Sequence, residues 1–148
     1  AGAAACAAAL LTAGAEAGVA NSDGVTPLHA AAAAGSEACL ASLLGAGAPL
    51  EARLVFVGRH ELSHQQESTS KTALYLAAEK GHAAAIGCLL RHGADPHAPA
   101  LISTPQMASR LSPLWAARRG GHADVEVVLV AAGATELAEL VPVEEPRD

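Results

Sequence analysis

The sequence predicts an all-α solenoid of helix–turn–helix repeats with extended finger loops between the units. Three observations predict it. Two aliphatic residues, a two-residue gap and Gly-Ala recur four times. The copies begin at Leu10, Leu43, Leu89 and Leu129 and close on Gly14-Ala15, Gly47-Ala48, Gly93-Ala94 and Gly133-Ala134, at spacings of 33, 46 and 40 residues. A second marker precedes the last three copies: Thr26-Pro27-Leu28-His29, Thr72-Ala73-Leu74-Tyr75 and Ser112-Pro113-Leu114-Trp115, whose spacings of 46 and 40 follow those of the first. Two markers that shift together define one repeated supersecondary unit. Third, 38 of the 148 residues are Ala and 2% are aromatic. A core of such small side chains requires closely packed helices, because each Ala buries little area, and it argues against a large aromatic-lined cofactor cavity.

Each element follows from local chemistry. The first unit, residues 1–21, contains only the second helix of a pair, ending at Gly14. In the next unit, about residues 22–53, Thr26 caps a short helix and Pro27 takes its first position, where a missing N–H costs nothing. Gly35 ends that helix, Ser36 caps a second, and Gly47 supplies the left-handed residue that stops it. Units at about 71–98 and 111–135 repeat the plan. Two short helices cannot bury their apolar faces alone, so stacked copies share one continuous core.

These motifs resemble the ankyrin-repeat family. The resemblance rests on Asp23-Gly24-x-Thr26-Pro27-Leu28-His29-x-Ala31-Ala32-x-x-Gly35 with Leu43-Leu44-x-x-Gly47-Ala48. Unit three matches at Lys71-Thr72-Ala73-Leu74, Ala77-Ala78, Gly81-His82 and Leu89-Leu90 through Asp95, and unit four at Ser112-Pro113-Leu114, Ala117, Gly121-His122 and Gly133-Ala134. It covers roughly residues 2–135, so residues 1–135 read as an ankyrin-repeat domain and 136–148 as an acidic tail. Departures are Tyr75 and Trp115 in place of the family's His, and Arg118 in place of the second Ala of its pair. In the family that His ties the loops by hydrogen bonds. Only His29 keeps this option, so units three and four are expected to be less tightly organised. Neither end reads as a polar capping repeat, which suggests a piece of a longer chain.

Against a 33-residue period, the second gap carries 13 extra residues and the third carries 7. The extra residues fall at about 54–70 and 99–110. The resemblance implies that these loops are hairpin fingers beside a concave binding face, and insertions on one edge of a solenoid often mark that face. Phe56, Arg59, His60 and His64 are the candidate reading residues of the first finger. Carried over by position, the first helices add Leu76, Glu79 and Lys80 in unit three and Arg118 and Arg119 in unit four. Tyr75 and Trp115 lie beside them. Aromatics and Arg are common interface anchors, although for Tyr75 and Trp115 large side chains filling space left by alanines is the stronger explanation.

One other motif carries chemistry. In His60-Glu61-Leu62-Ser63-His64 the histidines stand at i and i+4, which on a helix share a face and hold one zinc, with Glu61 as general base. This stretch resembles a zinc metallopeptidase helix. Such an enzyme needs a third ligand and a cleft on a fold of its own, which a loop between two solenoid units does not supply. No phosphate-binding loop, nucleophile elbow or dinucleotide fingerprint occurs.

The net charge of −6 argues against nucleic-acid binding, which requires basic patches. About −4 of it lies in residues 136–148, a tail expected to begin as a short helix through Leu140. Three separated cysteines, Cys6, Cys39 and Cys88, form no disulfide framework or metal motif and read as small buried hydrophobes of an intracellular protein, cytoplasmic or nuclear. No signal peptide is recognisable and no run reaches the ~18 apolar residues of a membrane span. The expectation is therefore a non-catalytic protein–protein interaction module, an adapter or a recognition domain of a larger protein. It needs no cofactor or metal and binds a protein partner through fingers and concave helix face. A structural spacer and the zinc site are the alternatives.

Overall fold

The computed structural model describes residues 8–59, 66–104 and 107–142. Helix α1 is described over residues 8–12. Three helix pairs follow: α2 (Pro27–Ala34) with α3 (Glu37–Gly45), α4 (Ala73–Lys80) with α5 (Ala83–Arg91), and α6 (Pro113–Gly120) with α7 (Ala123–Ala131). Strands β1 (Arg53–Arg59) and β2 (Gln66–Thr72) join the first pair to the second, β3 (Ala100–Ser103) and β4 (Met107–Leu111) join the second to the third, and β5 (Ala138–Pro142) follows α7.

The start of each pair is fixed by a hydroxyl. Thr26, Thr72 and Ser112 accept from the backbone N–H three residues on, of His29, Tyr75 and Trp115, removing one orphan donor of the first turn. The turn between paired helices is held by glycine at positive φ, +69° at Gly35 and +81° at Gly81. A Cβ would also have no room there. At Gly35 it would lie 2.6 Å from Nδ1 of His82, and at Gly81 2.5 Å from Nδ1 of His122. Both rings belong to the following unit. His82 donates from Nε2 to the Ala33 carbonyl at 3.0 Å, and His122 to the Glu79 carbonyl at 3.2 Å. The two histidines thus tie each helix pair to the one before it.

First helices stack on first helices (α2, α4, α6) and second on second (α3, α5, α7). Leu28, Leu40, Ile86, Leu89, Val125 and Leu129 are essentially solvent-free, and Ala32, Ala77, Ala78, Ala85 and Ala117 fill the tight crossings. Each fully buried aliphatic side chain contributes about 1.5–3 kcal/mol; the alanines add little area but let the backbones approach.

The helical solenoid matches the expectation, but "all-α" covers only the solenoid. The four finger strands and β5 form one antiparallel five-stranded sheet in the order β1-β2-β3-β4-β5. The fingers are bridged through Ser68↔Ser103, Thr69↔Ile102 and Ser70↔Leu101. The expected short helix through Leu140 is a strand instead, with Leu111↔Ala138 and Ser109↔Leu140 in register. The cause lies at Ser112. Its N–H donates to the Leu137 carbonyl at 2.8 Å, and its hydroxyl accepts from the Leu137 N–H at 2.9 Å. The chain is held extended beside β4, and an isolated helix of so few residues cannot offset its nucleation cost.

Candidate protein-binding surface

Successive residues of a strand point to opposite faces, so the register sorts the sheet into two. One row crosses it as Leu54, Lys71, Ala100 and Leu111, and the next as Phe56, Thr69, Ile102 and Ser109. Ala100 and Leu111 are buried and Lys71 and Ile102 half-buried, so this face looks toward the helices. The opposite face carries Arg53, Val55, Leu101 and Arg110, all exposed.

Between the inner face and helices α4 and α6 lies a groove of about 490 Å³, lined by Lys71, Tyr75, Glu79, Ile102, Trp115 and Arg119 among others. Its floor is a small cluster of Tyr75, Ala100, Leu111 and Ala116, with Ile102 and Trp115 packed on it. Nζ of Lys71 donates to Glu79 at 2.9 Å and lies 5.6 Å from the centre of the Tyr75 ring. The Arg119 guanidinium sits 5.2 Å over the Trp115 ring, a cation–π arrangement. Among the described residues no carboxylate pairs with Arg119. Burial, and then the Glu79 carboxylate, push the Tyr75 phenol up to about 12, with Arg119 pulling the other way. The phenol therefore stays protonated at neutral pH. The groove combines apolar walls, two aromatic rings and one cation without a counter-charge.

The sequence-predicted residues are distributed unevenly around it. Phe56, 58% exposed, stands on the helix-facing side of the sheet, on β1 and outside the groove lining. Tyr75, Glu79, Trp115 and Arg119 line the groove itself. Tyr75 is 2% exposed and shares the floor cluster, which is the space-filling role. Leu76 is also buried, at 9%. Lys80 is exposed at the end of α4. Arg118 is bound by the carboxylates of Glu126 and Glu136, so it braces α6 against α7 and the segment before β5. Arg59 closes β1 opposite Gln66. His60, Glu61 and His64 lie outside the described residues. Among the described residues no group of three or more His, Cys, Asp or Glu is arranged to hold a metal, and no helix is long and apolar enough to cross a membrane.

Sequence reasoning placed Ile102 only within the second finger, and did not assign Lys71 or Leu111 to this surface. No alternation in the sequence marks them; only the pairing register shows that they share the helix-facing side of the sheet.

A family model described as ankyrin repeats, in three copies, matches residues 1–100. The chain is also similar to the nuclear factor NF-kappa-B p105 subunit of Mus musculus, with 33% identity over 119 residues. That match covers 80% of this chain and 10% of the relative, so the chain spans about a tenth of that protein's length.

Proposed function

The chain belongs to the ankyrin-repeat family, and on that premise we propose that it is a non-catalytic recognition module that binds a protein partner in the groove between its finger sheet and helices α4 and α6. Ankyrin repeats are generally protein-interaction modules and typically non-enzymatic. One observation carries the finer reading. The apolar face of the sheet, the half-buried Trp115 and the carboxylate-free Arg119 converge on one groove. Interfaces are anchored by such aromatic and Arg groups in partly desolvated pockets. The occupant is a segment of a protein partner with aliphatic side chains for Ile102 and Trp115 and a carboxylate for Arg119. An intracellular setting, cytoplasmic or nuclear, belongs to the same reading and is supported by the buried free thiols of Cys39 and Cys88. The net charge of −6 supports a protein rather than a nucleic-acid partner.

The test is affinity capture with the native chain and with a Phe56→Ser/Arg119→Glu variant, both substitutions at exposed positions, after checking equal helicity by circular dichroism. Loss of a captured protein in the variant is the expected result. The same proteins captured by both chains would place recognition elsewhere, and no capture by either would favour a structural spacer.

A further inference from the structure

The Tyr75 hydroxyl is a polar group of the groove that the fold leaves unused. Tyr75 is 2% exposed, and among the described residues its hydroxyl has no hydrogen-bond partner. Among those residues no side-chain oxygen or nitrogen is both sealed from solvent and unpartnered. The phenol oxygen is therefore where the side chain opens, and it opens into the groove that Tyr75 lines. The equivalent position one unit earlier is His29, whose ring is fully employed, by the Thr26 hydroxyl at 2.8 Å and the Ala52 carbonyl at 2.9 Å. Tyr75 keeps only the bond from its backbone N–H to Thr72. Its ring fills the floor of the groove, and the hydroxyl adds nothing to that packing.

A donor without an acceptor is harmless while water reaches it. Once a partner covers the groove, an unpaired hydroxyl carries a desolvation cost, so the occupant has to bring an acceptor. The phenol stays protonated at neutral pH, because burial and Glu79 push it up to about 12. Donors bond most strongly to ionised acceptors. The Arg119 charge acts on the same phenol, so the cation and the hydroxyl serve one space.

Charge fixes the class of acceptor. Lys71, Glu79 and Arg119 are the ionised groups that line the groove. Nζ of Lys71 donates to both Glu79 oxygens, at 3.0 and 2.9 Å, so that pair is neutral as a unit. Arg119 lies over the Trp115 ring with no carboxylate among the described residues. The groove thus carries one net positive charge. A carboxylate balances it. A phosphate brings about −1.5 to −2 and sets the excess beside Glu79, and a neutral amide leaves Arg119 uncompensated.

Resting on the groove reading, we infer that the Tyr75 hydroxyl and the Arg119 guanidinium together hold one Glu or Asp side-chain carboxylate of the partner protein, and that Lys71, by neutralising Glu79, limits the groove to that single negative charge. Tyr75 is then a specificity-determining donor, and Lys71 a positioning residue that acts through Glu79.

The probes are acetyl-Leu-Val-Glu-Leu-Val-amide and its analogues with Gln or phosphoserine at the centre, titrated into the 148-residue chain by calorimetry. The Glu peptide is expected to bind saturably and about tenfold or more tighter than either analogue. Tyr75→Phe keeps the ring. It is expected to weaken the Glu peptide about tenfold and to change the Gln peptide by no more than about twofold. Lys71→Gln is expected to weaken the Glu peptide to a similar degree, and Lys71→Gln/Glu79→Gln to restore it to within about threefold of the native chain. Equal weakening of the Glu and Gln peptides by Tyr75→Phe overturns the inference, because the hydroxyl then serves packing. Tighter binding of the phosphoserine peptide overturns it as well. Loss of the Glu peptide in Arg119→Gln but not in Tyr75→Phe overturns it and leaves the groove reading standing. Absence of saturable binding by the Glu peptide also overturns it, and the capture experiment with Phe56→Ser/Arg119→Glu then decides the groove reading separately. If Tyr75→Phe lowers helicity, 3-fluorotyrosine at the chain's single tyrosine decides: its fluorine resonance is expected to shift with the Glu peptide and not with the Gln peptide, and the same response to both overturns the inference.

Discussion

The imidazole of His82 lies where a Cβ on Gly35 would have to be, 2.6 Å from its Nδ1, while its Nε2 donates to the Ala33 carbonyl of the preceding unit. The left-handed glycine and the histidine are one joint, and Gly81 with His122 repeats it. Gly35→Ala is expected to cost about 1–3 kcal/mol, because it combines a positive φ with a blocked Cβ. His82→Ala is expected to cost about 1 kcal/mol for the lost bond. In Gly35→Ala/His82→Ala the two costs should fall short of their sum, since removing the ring opens space for the methyl. Urea denaturation of the four chains measures this, and strict additivity would mean that the ring and the glycine act separately.

His29 makes the fold sensitive to acid. Its Nε2–H donates to the Ala52 carbonyl at 2.9 Å, and its Nδ1 accepts from the Thr26 hydroxyl at 2.8 Å, so the ring is held as the neutral tautomer. Burial lowers its pKa from the ordinary 6.5, against the opposing pull of the Ala52 and Lys71 backbone. The unfolded chain therefore binds its proton first as pH falls. The stabilisation from His29 is complete above 6.5 and is lost as pH drops through 6.5 toward the depressed folded value. Urea midpoints at a series of pH values should fall across that window in the native chain and fall less in His29→Gln. Parallel curves would remove His29 as the cause.

The core should respond to loss of volume where the sheet does not. Leu89 is fully buried between the second helices, whereas Leu101 is 39% exposed on the outer face of the sheet. Leu89→Ala is expected to cost about 2–5 kcal/mol, and Leu101→Ala about 0.5 kcal/mol or less. Thermal and urea unfolding compare them directly. Similar losses at both sites would mean that the sheet is part of the cooperative core.

Ser112 serves two partners, the Trp115 N–H at 3.2 Å and the Leu137 N–H at 2.9 Å. Ser112→Ala should cost more than the about 1 kcal/mol of an ordinary helix cap and should speed amide exchange in β5 as well as in the first turn of α6. Exchange confined to α6 would show that β5 is held by β4 alone.

The helices were legible in the sequence because caps and stops are local. Thr26, Thr72 and Ser112, with Gly35, Gly81 and Gly121, mark both ends of the first helices without knowledge of any tertiary contact. The sheet was not legible. β2 reads Gln-Glu-Ser-Thr-Ser-Lys-Thr, with no apolar alternation, and Leu54-Val55-Phe56-Val57 is a continuous apolar run that periodicity cannot assign. Residues 136–140 have helix-forming composition, which pairing with β4 overrides. At the site, residue type pointed to Trp115 and Arg119, but neighbours in sequence diverge in space. Arg119 stacks on Trp115 in the groove, while Arg118, one residue earlier, turns to Glu126 and Glu136. Lys71 and Ile102 joined them only through strand pairing across the two fingers, which is non-local.

Recognition in the groove is tested most directly by photocrosslinking. A benzophenone amino acid is placed at Phe56, on the helix-facing side of the sheet in the same row as the groove residue Ile102, and in a second chain at Val127, 68% exposed on α7, and each chain is irradiated in cell lysate. The groove reading predicts one discrete protein adduct from position 56, abolished by Arg119→Glu in the same chain, and none from position 127. An adduct from position 127 alone, or an identical set from both positions, would contradict it.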